Sequence, residues 1–202
     1  MLKSEEMRYY LGQCFWTGIS IAYWSGLIGP TVVRSLPNAS VNAQLSASLY
    51  AISMLGVGEM VGGLLMGQVV DKLGSRIGVI INVLTIIFAC SVTFWEIASN
   101  KYSWVTFLYT FAWGFSDGAI NTHSNQMMGF EFETSSDPFS IFNSVQAVAI
   151  FSFMMLQSLL DTQNSRDLNI YTGIVMLLGI LMCGATFFFR FKFNRVQCTG
   201  FK

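Results

Sequence analysis

Residues 77–95 read IGVIINVLTIIFACSVTFW and contain no Asp, Glu, Lys or Arg. A membrane-spanning helix needs about 20 consecutive, mostly apolar residues, and this run has that length and composition. Spans of a membrane β-barrel are shorter and alternate between apolar and polar residues, a pattern that this run lacks. The stretch therefore predicts a transmembrane α-helix.

Five further segments have the same character, and short connections join them. Because every backbone polar group in lipid must be satisfied within its own span, the predicted fold is an all-α, polytopic membrane helix bundle. No connection is long enough to separate two domains, so residues 1–202 are predicted to form a single six-helix transmembrane domain. The predicted spans are residues 9–33, 43–70, 77–95, 103–130, 138–160 and 168–189.

The composition excludes several classes of protein. Charged residues make up 11% of the 202 residues, whereas soluble domains carry roughly a quarter. A soluble fold with so few charges could not cover its surface, but a lipid-facing surface needs no polar cover. The formal net charge is zero and no basic tail is present, so we expect the lipid bilayer, and not nucleic acid, as a partner.

The distribution of basic residues predicts the orientation, because Lys and Arg concentrate in cytoplasmic connections. If the N-terminus is cytoplasmic, eight basic residues lie inside and three outside, so both termini are predicted on the cytoplasmic side. The sequence contains no address for a particular membrane. The inner set is Lys3, Arg8, Lys72, Arg76, Arg190, Lys192, Arg195 and Lys202, and the outer set is Arg34, Lys101 and Arg166.

No enzyme chemistry is recognisable in the sequence. The four cysteines are scattered, and none forms a CxxC pair or lies near the only histidine. We find no nucleophile–base pair, no metal-ligand spacing and no nucleotide-binding loop. The sequence therefore predicts a non-enzymatic protein with no catalytic residues, no metal site and no cofactor.

Glu59 lies in the middle of the second predicted span. A charge at that depth costs about 2.5–3.5 kcal/mol on insertion scales, so it usually faces a cavity or a partner. Glu59 either binds a cation or a proton, or pairs with a polar group on another helix, in the simplest case as a protonated acid.

The fourth predicted span contains the polar stretch 113–129, WGFSDGAINTHSNQMMG. Asp117, Asn121 and Asn125 are four residues apart and share one helix face, which suits a polar cavity or an interhelical network. We predict that these three residues and Glu59 line a substrate or ion path. His123 is rotated about 240° from Asp117, so the two are not expected to pair, and His123 is interpreted as structural.

Glycines at a spacing of four predict close helix contacts, because small residues let two helix backbones touch. We expect the first, second and fourth helices to pack closely or face a cavity, and the third and sixth to be more exposed to lipid. The glycines expected at packing contacts are Gly58, Gly62, Gly63, Gly114 and Gly118.

Two motifs resemble a known family of membrane proteins. The connection after the second span resembles the conformational loop signature of the major facilitator superfamily, although Ser75 departs from it. The fourth span resembles the tenth-helix signature of the Unc-ninety-three-like branch of that superfamily, with departures at Ser116 and His123. The matching residues are Gly67, Asp71, Lys72, Gly74 and Arg76 in the loop, and Gly114, Asp117, Asn121, Thr122 and Gly129 in the span.

The resemblance covers only the second six-helix half of a twelve-span family. It implies an accessory or regulatory subunit that binds other membrane proteins, since some members of the family look like regulators of ion channels. The alternative is half of a solute or ion transporter, working as a dimer or with a separate first half. Partners would be other membrane proteins or a second six-helix chain.

Overall fold

The computed structural model describes residues 5–132 and 136–191, and within them the chain forms six α-helices. The predicted number of helices is thus confirmed, and each predicted span overlaps one helix. The helices are α1 Glu5–Ser35, α2 Val41–Leu73, α3 Ser75–Ser99, α4 Trp104–Phe130, α5 Ser136–Gln157 and α6 Ser165–Ala185, and a 3₁₀ turn at Thr186–Phe188 follows α6.

Four segments of the described chain are long and apolar enough to cross a membrane. The helices α1 and α4 are not among them. Both are long enough, but α1 contains Gln13, Thr17 and Ser20, and α4 contains the polar stretch 113–129, which lowers its hydropathy. The four segments are Val41–Leu73, Ser75–Ser99, Asp137–Gln157 and Ser165–Phe188.

Local sequence signals define the helix ends. The Ser40 hydroxyl accepts the N–H of Ala43 at the start of α2, and Ser103 forms a capping box with Thr106 at the start of α4. The break between α2 and α3 is Gly74 alone, at a φ of 88° that favours glycine. The expected six-residue loop at 71–76 is therefore wrong, because both helices extend into it.

The central helix of the bundle is α1, which contacts α2, α4, α5 and α6. The closest pair is α2 with α4, while α3 packs on α4 and α6, and α5 packs chiefly on α1. The start of α1 meets the end of α6, where the Tyr9 and Phe188 rings lie 6.4 Å apart. We call this the terminal end of the bundle and the opposite one the distal end.

An aromatic stack fills the centre of the bundle and links three helices. The Tyr23 ring of α1 lies 4.3 Å from Trp113 of α4 and 5.6 Å from Tyr171 of α6, measured between centroids. The Tyr23 hydroxyl is also 2.6 Å from the Thr172 hydroxyl, so its polar atom is satisfied. A second apolar cluster, which includes Met7, Tyr10, Met128, Phe142 and Phe189, closes the terminal end.

The expected exposure of the helices is wrong for α3. Among the four candidate spans α3 has the largest buried share, 44%, and α5 has the smallest, 11%. The reason is that α3 lies between α4, α6 and α2, whereas α5 lies on the outside of α1. A broad face of α5 is therefore uncovered in the described chain.

Candidate functional site

Four glycines hold α2 and α4 in backbone contact. A Cβ atom at any of them would collide with a backbone carbonyl oxygen of the facing helix, so no other residue fits without moving a helix. Each partner oxygen belongs to a residue on the opposite helix. The pairs are Gly58 with Phe111, Gly62 with Phe115, Gly114 with Leu55, and Gly118 with Glu59.

The other glycines of α2 have different surroundings. A Cβ at Gly63 would lie 3.1 Å from the Thr122 hydroxyl oxygen, and a Cβ at Gly67 would have no atom within 4 Å. Gly56 is equally open. Gly67 therefore lies outside the α2–α4 contact, whereas Gly63 faces the Thr122 side chain of α4 and not its backbone at the same closeness as Gly58 and Gly62.

Asp117 lies at the midpoint of α4 and is buried, with 5% of its surface exposed. The Asn121 side-chain amide donates to Asp117 Oδ2 at 3.0 Å and to the Asp117 carbonyl oxygen at 3.0 Å. Ser20 and Trp24 of α1 lie near the same carboxyl, although the Trp24 indole N–H has no hydrogen-bond acceptor among the described residues. Asp117 Oδ1 has no hydrogen-bond partner among the described residues. We call Asp117, Asn121, Ser20 and Trp24 the aspartate site.

Glu59 lies next to the aspartate site, near the middle of α2, and is partly exposed. Its carboxyl is close enough to Asp117 for the two to interact electrostatically. No hydrogen bond or ion pair joins the Glu59 side chain to another residue of the described chain. Asn125 lies one turn beyond Asn121 and is exposed, so the structure brings three of the four predicted path residues together.

A second polar group surrounds His123 and is fully buried. Gln13 of α1 and Asn82 of α3 place their amide nitrogens 3.2 and 3.1 Å from His123 Nδ1, as the amides are assigned. Gln13 also donates to the Ser124 hydroxyl at 2.8 Å, and Tyr10 donates to the Ser124 carbonyl oxygen at 3.2 Å. This histidine network joins α1, α3 and α4, as expected for a structural histidine.

Two buried charges lie at the distal end. The Arg34 guanidinium donates to the Ser165 hydroxyl at 3.0 Å and to the Ile97 carbonyl oxygen at 3.4 Å. The Glu96 carboxylate accepts from the Thr106 hydroxyl at 2.9 Å. Exposure is 7% for Arg34 and 1% for Glu96. These contacts connect α1, α3, α4 and α6 at one end of the bundle.

The residues of the expected conformational loop lie at the terminal end. Asp71 and Lys72 are in the last turn of α2, Arg76 is in the first turn of α3, and all three are exposed. No hydrogen bond or ion pair links Asp71 to another residue in the part of the chain described here. The contact with a neighbouring helix and Arg groups that the resemblance implies for this residue is therefore made by no described residue.

Sequence reasoning missed the residues that other helices contribute. Gln13 and Asn82 complete the histidine network, and Ser20 and Trp24 complete the aspartate site. A signal for the amides was present, since each stands in a predicted span that contains no charged residue.

The groups at these sites suit binding and packing. Within residues 5–132 and 136–191, no three His, Cys, Asp or Glu side chains converge so that they could hold a metal ion. A carboxyl with amide, hydroxyl and indole groups around it can hold a proton or interact with a cation.

Comparisons with known proteins found no relative. No protein-family model matches the chain, and neither a curated protein nor a solved structure matches it.

Proposed function

We propose that this chain is a six-span integral membrane protein that acts as an accessory or regulatory subunit bound to other membrane proteins. Four of its helices meet the length and composition of a membrane span. The proposal places both termini on the cytoplasmic side, in accordance with the basic residues near the terminal end.

The observation that carries the proposal is Glu59. It is an acid near the middle of a membrane-length helix, and the described bundle supplies no hydrogen bond or ion pair to its side chain. A charge left unpaired in hydrocarbon costs about 2.5–3.5 kcal/mol, so such residues normally have a partner. An unpaired acid on an outer surface of the bundle suggests that the partner belongs to another molecule.

The burial of the polar residues on α4 also favours a subunit over a pore. Asp117, His123 and Ser124 are buried, and all three are enclosed by groups of the same bundle. Side chains enclosed in this way stabilise helix packing. The uncovered face of α5 offers further surface for a second membrane protein.

The second candidate is half of a solute or ion transporter that needs a second half. Its support is the closeness of Glu59 and Asp117 at the middle of two neighbouring helices, because transporters hold their ligands near the membrane midplane. In this candidate a partner chain supplies the opposite wall, and the two carboxyls line the shared path.

Flux measurements on the purified chain distinguish the two candidates. As a lone monomer in liposomes, an accessory subunit is expected to give no solute or cation flux above that of empty liposomes. If a monomer, a dimer or a pair with one other six-span chain carried a flux that Asp117→Asn or Glu59→Gln abolished, the accessory proposal would be wrong.

A further inference from the structure

An open groove separates α1 from α2 at the distal end of the bundle. Its volume is about 620 Å³, and its walls are mostly apolar. The two helices contact each other far less than α2 contacts α4, which leaves the groove uncovered. The wall on α1 includes Gly29, Pro30 and Val33, and the wall on α2 includes Leu45, Ser48 and Ile52.

The groove face of α2 continues past the groove to Glu59. Ile52, Gly56, Glu59 and Gly63 follow one another at spacings of four, three and four residues, so they share one helix face. A Cβ at Gly56 would meet no atom within 4 Å, whereas a Cβ at Gly63 would lie 3.1 Å from the Thr122 hydroxyl oxygen of α4. Glu59 therefore lies beside an open stretch of backbone at Gly56, which another helix could approach closely.

The dimensions of this face match those of a helix. From Val41, which lines the groove, to Gly63, α2 rises about 33 Å at 1.5 Å per residue. The hydrocarbon core of a bilayer is about 30 Å thick. The face is thus long enough to pack along one transmembrane helix, and Glu59 lies about 27 Å from Val41 along it.

Glu59 is the acidic side chain of this face, and no basic residue of the described chain pairs with it. Asp117 lies behind Glu59, is buried, and has Oδ1 without a hydrogen-bond partner among the described residues. No basic residue of the described helices lies at this depth, because all of them are near one end of the bundle. They are Arg8, Lys72, Arg76 and Arg190 at the terminal end, and Arg34, Lys101 and Arg166 at the distal end.

We propose that this groove face, residues 41–63 of α2 with Gly29 to Val33 of α1, binds a transmembrane helix of another membrane protein. That helix carries a Lys or Arg within the membrane, at the depth of Glu59, and the two charges pair. The inference rests on the proposed accessory function and adds the chemistry of the partner. An isolated acid and an isolated base are each unfavourable in lipid, so pairing removes both penalties.

Charge argues against a second copy of this chain as the occupant. A second copy would bring another Glu59 to the face, and its described helices offer no basic residue at that depth. Two unpaired acids side by side repel each other unless they share a proton. The partner that complements the face is therefore a different chain with a basic residue in its span.

The test measures binding of synthetic helices to the purified protein in lipid vesicles. The probe is a fluorescent poly-leucine transmembrane peptide with one lysine at the depth of Glu59, and the matched peptide has leucine at that position. Energy transfer to a labelled protein reports binding. We expect the lysine peptide to bind about tenfold more tightly, from a charge-assisted contact of the size seen between membrane helices.

Three variants locate the contact. Glu59→Gln should abolish the preference for the lysine peptide, and Gly56→Phe should weaken binding of both peptides by filling the groove face. Gly173→Phe is the matched control, because Gly173 of α6 is equally open but lies on another helix, and it should leave binding unchanged. Equal binding of the two peptides, or a lysine preference that persists in Glu59→Gln, would overturn the inference.

Self-association and native complexes separate this inference from the proposed function. Energy transfer between two labelled copies of the protein that disappeared in Glu59→Gln would overturn the inference in favour of a second copy. A native complex with another membrane protein that Glu59→Gln left intact would refute the docking site but keep the accessory function. If the peptides bound as expected but the native protein were always monomeric, the docking site would stand and the accessory function would be refuted.

Discussion

Two faces of α2 both contain glycine, but one face packs against α4 and the other is uncovered. On one face Gly58 and Gly62 touch the backbone of α4 so closely that no side chain would fit. On the other face Gly56 lies one turn from Glu59, and the space at Gly56 is empty. Glycine spacing thus predicts that another helix can pack closely against α2. It does not predict whether that helix belongs to the same chain, because this depends on the rest of the bundle.

The two carboxyls beside these faces differ in the same way. Asp117 belongs to the closed side and has Asn121, Ser20 and Trp24 around it. Glu59 belongs to the open side and has no such neighbours in the described chain. A carboxyl surrounded by hydrogen-bond donors of its own chain contributes to packing. A carboxyl without such donors needs a hydrogen-bond or ion-pair partner from another molecule.

The closed face should be the most sensitive part of the protein. Gly118→Leu forces a side chain into the backbone of α2 and is expected to lower the free energy of unfolding by more than about 3 kcal/mol, or to prevent accumulation. Gly56→Leu is the control on the open face and should change the free energy of unfolding by less than about 0.5 kcal/mol. Unfolding in mixed detergent measures both, and equal effects would erase the distinction between the faces.

The histidine network behind the closed face should give the next largest effect. Gln13→Leu removes the donor to Ser124 and one amide near His123, and we expect a loss of about 1–2 kcal/mol, the range for hydrogen bonds between membrane helices. The same unfolding measurement on Gln68→Leu, an exposed position of α2, serves as the control. A loss no larger than that of the control would show that the network is not formed.

Asn121→Ala sharpens the description of the aspartate site. It removes the amide that donates to Asp117, and the expected loss is about 0.6–1.7 kcal/mol. Asn125→Ala, one turn further along the exposed surface, should have no measurable effect on unfolding. If both alanine variants were equally destabilised, the hydrogen bond to Asp117 would not explain the result.

The smallest effect is expected at Glu59 itself. Because its carboxyl makes no described hydrogen bond, Glu59→Gln should change the stability of the isolated bundle by less than about 0.5 kcal/mol. The same substitution at Glu96, which is buried and interacts electrostatically with the buried Arg34 guanidinium, should cost about 1 kcal/mol or more. A large loss at Glu59 would mean that the residue is paired within its own chain.

The fold was predictable where it depends on composition along the chain. Apolar runs of membrane length located six helices, including the run at 77–95 that became α3. The helix ends were less certain, and Gly74 alone replaces an expected loop because charged residues such as Asp71 and Arg76 are compatible with helix termini. In the sequence these charged residues indicated a loop, whereas in the structure they lie in the terminal turns of the two helices.

The sites were predictable only within single helices. The spacing of Asp117 and Asn121 placed them on one face, and they do form a hydrogen bond. Periodicity says nothing about which helices become neighbours, so Ser20 and Asn82 could not be assigned to their sites. For the same reason the high burial of α3 and the low burial of α5 were not foreseen.

The central claim is that the chain works bound to another membrane protein. The direct measurement is the mass and protein composition of the particle that holds the tagged chain, extracted from its own membranes with a gentle detergent. The account predicts a particle larger than the 22.5 kDa chain and containing a second membrane protein in fixed proportion. A particle that contains this chain alone, in wild type and in Glu59→Gln, would contradict it.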